Sequence, residues 1–208
     1  MRRIIVILAI MLLSGLSSFA GEPLPSFEKY VAEGNLFRAR VPSTWTRSDR
    51  NPPYADMTRI VGAKFECPPN SDEVPASIAL YWYSGERNFT TPDSYINARL
   101  ESMVREDAMK GRATTDTQVA GRKATGFAMK TFELVKLPYD RLPAGKEDGS
   151  IVYERVVPSR KVIMDEQYIV LPAAKGFFVL HYRAPETISG SYRPIFDNVT
   201  ASFEPLVP

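Results

Sequence analysis

Apolar and polar residues alternate along most of this chain, and a period of two predicts strands with one face in a core. In FRARV, Phe37, Ala39 and Val41 fall on one face and Arg38 and Arg40 on the other. Pro42 ends that ladder, which lets Trp45 fold back as an apolar plug. IVGAKFEC lines up Val61, Ala63, Phe65 and Cys67 against Lys64 and Glu66. ASIALYWY sets Ile78, Leu80 and Trp82 against Ser77, Tyr81 and Tyr83. Further on, TTDTQVAGRKATGFAMKTFELVKL predicts a hairpin turning near Gly121 with a long second arm. IVYERVV, KVIMDEQYIVL and GFFVLHYRAP follow as successive antiparallel strands, the last two joined through residues 172–175.

The period changes twice. In TTPDSYINARLESMVREDAMKG, Ile96, Leu100, Met103 and Val104 recur at helical spacing. Thr91 can cap this segment, Pro92 suits the first helical position, Asp93 complements the positive end of the helix, and Gly111 stops the run. Near the C-terminus, SGSYRPIFDNVTASF predicts a short closing helix with Tyr192, Ile195, Phe196 and Val199 inward. Strands in series punctuated by two helices predict an α+β fold, an antiparallel sheet covered by helices.

The first residues follow neither period. Arg2 and Arg3 precede an unbroken apolar run from Ile4 to Leu13, and Ser18 and Ala20 supply small residues before Gly21. That is the pattern of a secretory signal, residues 1–20, with cleavage expected between Ala20 and Gly21. A membrane-spanning helix needs about 20 apolar residues, so no span is expected after the signal is removed. Residues 21–26 are expected to form a flexible leader and residues 27–208 a single domain.

Charge and cysteine narrow the function classes. The 26 basic residues less Arg2 and Arg3 equal the 24 acidic ones, so the exported chain is neutral. A neutral chain has no general pull toward nucleic acid. Cys67 is the single cysteine and His181 the single histidine, which leaves no disulfide and excludes the usual zinc ligand sets. No Walker loop, no GxGxxG fingerprint and no calcium-loop pattern occurs, and no cofactor is expected.

His181 lies mid-strand, sharing a face with Phe177, Val179 and Arg183. Without a GxSxG elbow to supply a nucleophile, it reads as a structural strand residue. Cys67 shares its face with Val61 and Phe65 and reads as an inert core thiol. Adjacent carboxylates such as Asp165 and Glu166 point to opposite faces of a strand, so they form no dyad with each other and read as solvated charges. No residue is therefore assigned a catalytic or metal-binding role. The alternative is a small periplasmic hydrolase using Cys67 with His181, or a carboxylate pair brought together by the fold. The long polar loop PYDRLPAGKEDGS is the candidate partner-binding element, through Tyr139, Asp140, Arg141 and Lys146.

The order of these segments resembles the PsbP-like and DcrB-like envelope proteins. The resemblance runs through FRARVPSTW, ASIALYWYSG with its TPDSYI helix start, VAGRKATGF, and GFFVLHYRAPE to YRPIFDNVTASF, most of the chain. It implies an α-β-α sandwich and a non-enzymatic accessory or binding role, with no shared catalytic set. Exported lipoproteins occur in that family, whereas the LLSGL segment here has Leu16 where a lipidated cysteine would stand. The expectation is an exported, non-catalytic binding or assembly protein of the bacterial envelope, in the periplasm or outside the cell, whose partner is another envelope protein.

Overall fold

The computed structural model describes residues 24–49, 60–68, 74–85, 89–102, 114–136 and 159–208. Seven antiparallel strands form the central sheet: β3 (Thr46–Ser48), β4 (Ile60–Glu66), β5 (Ser77–Tyr83), β6 (Thr115–Val119), β7 (Arg122–Lys136), β8 (Ser159–Ala173) and β9 (Gly176–Pro185). Their spatial order is β3-β4-β5-β9-β8-β7-β6. β1 (Phe27–Val31), β2 (Phe37–Pro42) and β10 (Glu204–Pro205) form a separate three-stranded sheet. The helices are α1 (Pro92–Ser102) and α2 (Glu186–Ser202). Among the described residues no helix is long and apolar enough to cross a membrane.

The layers follow from strand parity. Along β9, Phe178, Leu180, Tyr182 and Ala184 face α2 and the small sheet, packing with Phe37, Val41, Phe196 and Val199. The alternate residues Phe177 and Val179 face α1 and pack with Tyr95 and Ile96. The central sheet is thus covered on both sides, an α-β-α arrangement, and the α+β expectation holds. Trp45 folds back as expected, buried with its ring 5.9 Å from that of Tyr192.

Burial on both faces also explains where alternation misleads. Ser77 and Tyr83, placed by their pattern on a polar face, are both buried, and Tyr83 packs with Tyr95 and Ile96 of α1 in a second core on that side of β5. The first predicted strand, β2, leaves the central sheet and pairs with β1 and β10 instead. Nothing in a period of two says which sheet a strand joins.

The helix ends match their local chemistry. Ser94 N donates to Thr91 Oγ1 at 3.1 Å while Thr91 N donates to Ser94 Oγ at 3.2 Å, a reciprocal cap at the start of α1. The predicted continuation through Met103 and Val104 lies outside the described residues, as do the IVYERVV strand, residues 1–20 and the loop carrying Tyr139, Asp140, Arg141 and Lys146. The closing helix α2 begins at Glu186, earlier than its apolar spacing predicts, with that carboxylate in the first turn.

Candidate functional site

β7, β8 and β9 bring five polar side chains together on the face that carries α1. Register sets this directly: Phe127, Tyr168 and His181 are cross-strand neighbours, and Glu166 lies beside Arg183 and Met129 in the next row. Tyr168 stacks on Phe127 at 4.7 Å and on His181 at 4.0 Å, so a row of three rings runs across the three strands. The stack fixes the plane of the imidazole.

Glu166 is the centre of the cluster, its side chain only 8% exposed. Tyr168 donates its hydroxyl to Oε2 at 2.6 Å, and His181 Nε2 meets the same oxygen at 3.0 Å. Thr131 donates its hydroxyl to Oε1 at 2.6 Å, and Arg183 Nε donates to Oε1 at 3.3 Å. Four donors fill the two oxygens of a carboxylate. Arg183 also pairs with Glu133 at 2.7 Å, which ties β9 to β7 across β8.

The electrostatics agree with that geometry. Burial works to raise the Glu166 carboxyl, but the His181 hydrogen bond and the hydroxyls of Thr131 and Tyr168 outweigh it and hold the group well below the usual carboxylate range. Burial pushes the His181 imidazole down, against the opposing pull of Glu166, with the cations of Arg99 and Arg183 adding to the depression. The ring is therefore neutral near pH 7 and donates Nε2–H to an anionic Glu166. Tyr168 is held well above its usual value by burial and by the adjacent carboxylate.

This is a carboxylate–histidine pair, and the question is what it can do. In a serine-type relay the nucleophilic hydroxyl faces the imidazole, and the carboxylate orients the ring from the other side. Here the hydroxyls of Thr131 and Tyr168 both donate to Glu166 itself, so neither is placed for activation by His181. The cluster cross-links three strands at their centre.

The expectation that Glu166 is a solvated charge is thus overturned. Its side chain lies in register with Val162, Met164, Tyr168 and Val170, all buried on the same face of β8. A charge in the apolar register of a strand was the legible signal. Thr131 and Tyr168 gave none, because hydroxyl-bearing residues are ordinary in strands.

The pairing of Cys67 with His181 is also contradicted. Cys67 packs in the core on the α2 side, with Phe65, Tyr182 and Phe196, whereas His181 lies on the α1 side. Ala76 N donates to its sulfur at 3.2 Å, and burial raises the thiol, which keeps it protonated. His181 instead finds the carboxylate of Glu166.

No protein-family model and no curated protein matches the sequence. Among solved structures, the chain is similar to the PsbP protein (CyanoP) of Synechocystis sp. PCC 6803, at 11% identity and a TM-score of 0.49, with 91% of this chain and 98% of that one covered. It is also similar to LpqN of Mycobacterium tuberculosis, described as involved in cell envelope biogenesis, at 12% identity and a TM-score of 0.44, over 86% of this chain and 89% of that one. A protein of Bacteroides thetaiotaomicron aligns at 13% identity and a TM-score of 0.40, covering 86% of this chain and 48% of the other.

Proposed function

We propose that the protein is an exported, non-catalytic binding or assembly module of the bacterial cell envelope, acting on another envelope protein. The observation that carries this reading is the saturation of Glu166 by Thr131, Tyr168, His181 and Arg183. A carboxylate already holding four donors has no lone pair left for a substrate proton, and the general base of a hydrolase needs one within hydrogen-bond reach. The burial of Cys67 on the opposite face supports the same reading by separating the thiol from the imidazole. Export is supported by the basic, apolar and small-residue succession of residues 1–20.

The test is the double change Cys67→Ser and His181→Gln. It should cost about 1–3 kcal/mol of stability through packing and lost hydrogen bonds, and leave function unchanged in folded protein. Parent and variant are compared by capture of partners from envelope extracts, under conditions where circular dichroism reports both folded. The same partner set from both is expected. A folded double variant that captures nothing, or an esterase or peptidase activity in the parent that the variant lacks, would overturn the reading.

A further inference from the structure

The far ends of β7 and β8 extend past the rest of the central sheet. β9 pairs with β8 only from Met164 to Ala173, whereas β7 and β8 continue pairing outward to Lys136 and Ser159. This two-stranded ribbon presents Phe132 and Leu134, 38% and 61% exposed, beside the half-buried Ile163 on the same face. That face is the one opposite Thr131 and Glu133, which serve the Glu166 cluster.

The charges on it are unevenly balanced. At its inner boundary Lys130 pairs with two carboxylates, Asp165 and Glu186. At its outer end Lys136 and Lys161 have no carboxylate partner among the described residues, and Lys161 Nζ lies 4.1 Å over the Phe132 ring. Two lysines without a carboxylate partner among the described residues thus flank the apolar side chains of this face.

We infer that this ribbon face docks peripherally on an anionic lipid bilayer surface, with Phe132, Leu134 and Ile163 entering the acyl boundary and Lys136 and Lys161 meeting the lipid phosphates. Aromatic and aliphatic groups at an interface with lysines that can extend back toward water are the combination that binds anionic membranes. Three apolar side chains on one face of a two-stranded ribbon fit shallow insertion better than a protein contact, which buries about 800 Å² on each partner. This goes beyond the binding-module reading, and vesicles test it without involving the protein partner.

The experiment is co-sedimentation of the full chain with phosphatidylglycerol vesicles and with neutral phosphatidylcholine vesicles, beside the variants Phe132→Ser/Leu134→Ser and Lys136→Glu/Lys161→Glu. All chains carry the same N-terminus, so its contribution cancels in the comparison of parent with variants, and that difference is the readout. The parent should prefer phosphatidylglycerol, and the apolar variant should bind about tenfold more weakly. The charge-reversal variant should lose about fivefold or more, and about 0.5 M salt should weaken the parent similarly. Equal binding by parent and both variants, or no preference for the anionic vesicles, would overturn the inference. So would a concentration-dependent dimer lost in the apolar variant, in a parent that ignores vesicles, because the face would then be a protein contact. Both variants alter exposed side chains, and unchanged thermal melts confirm that a loss of binding is not a loss of fold.

Discussion

At the scale of single residues, Glu166 is the side chain on which most depends. Its four donors come from three strands, so deleting the carboxylate strands two hydroxyls, an imidazole and a guanidinium in a site closed to most water. Glu166→Ala should therefore lower stability by about 3–5 kcal/mol, the cost of breaking a buried charged pair from one side. Glu166→Gln keeps one acceptor oxygen and the volume, and should cost about 2 kcal/mol. Urea unfolding of the two variants checks the order. An alanine variant as stable as the parent would mean that the cluster does not hold the sheet together.

Among elements, the hairpins depend on glycines for two different reasons. Gly176 starts β9 at φ +106°, and a Cβ there would lie 1.9 Å from the carbonyl oxygen of Tyr83 on β5. Gly121, in the β6–β7 turn, has φ +73° with nothing within 4 Å of a Cβ. Gly176→Ala should cost about 3 kcal/mol or more, since backbone strain and a backbone clash add. Gly121→Ala should cost about 1 kcal/mol, strain alone. Thermal melts of the pair separate the two causes, and equal losses would refute the distinction. The β8–β9 hairpin that Gly176 begins also carries Glu166, Tyr168, His181 and Arg183, so its integrity and that of the polar cluster are one matter.

On the scale of the whole molecule, the cluster makes stability depend on pH. His181 is the single histidine of the chain, and its folded form titrates below the ordinary value of 6.5. Between 6.5 and its folded value the unfolded chain binds the extra proton, so stability falls as pH falls. Glu166 titrates below its ordinary 4.5 in the fold, which adds a second loss at pH below 4.5. The melting temperature should thus decline on acidification from pH 7, first through the imidazole and then through the carboxyl. His181→Gln should be flatter between pH 6.5 and 4.5 than the parent, whatever its absolute stability. A parent curve level down to pH 5 would show that the imidazole titrates alike in the folded and unfolded chain.

Local periodicity by itself determined β2 and the strands β4 to β9, the start of α1, the inward face of α2 and the turn at Gly121. Each depends on interactions between near neighbours, which a single segment contains in full. Thr91, Pro92 and Ser94 start a helix whatever surrounds them. The sequence also made His181 a strand residue and Cys67 a core thiol, because both share a face with apolar neighbours. Only the tertiary structure decided that β2 joins β1 and β10, that a second layer buries Tyr83, and that Glu166 meets His181 while Cys67 does not. These depend on which strands become neighbours and on what covers each face. Glu166 and His181 stand 15 residues apart in the chain yet share one carboxylate oxygen at 3.0 Å, because the β8–β9 hairpin folds one strand back along the other. Register between strands is a property of the pair, and neither strand carries it alone.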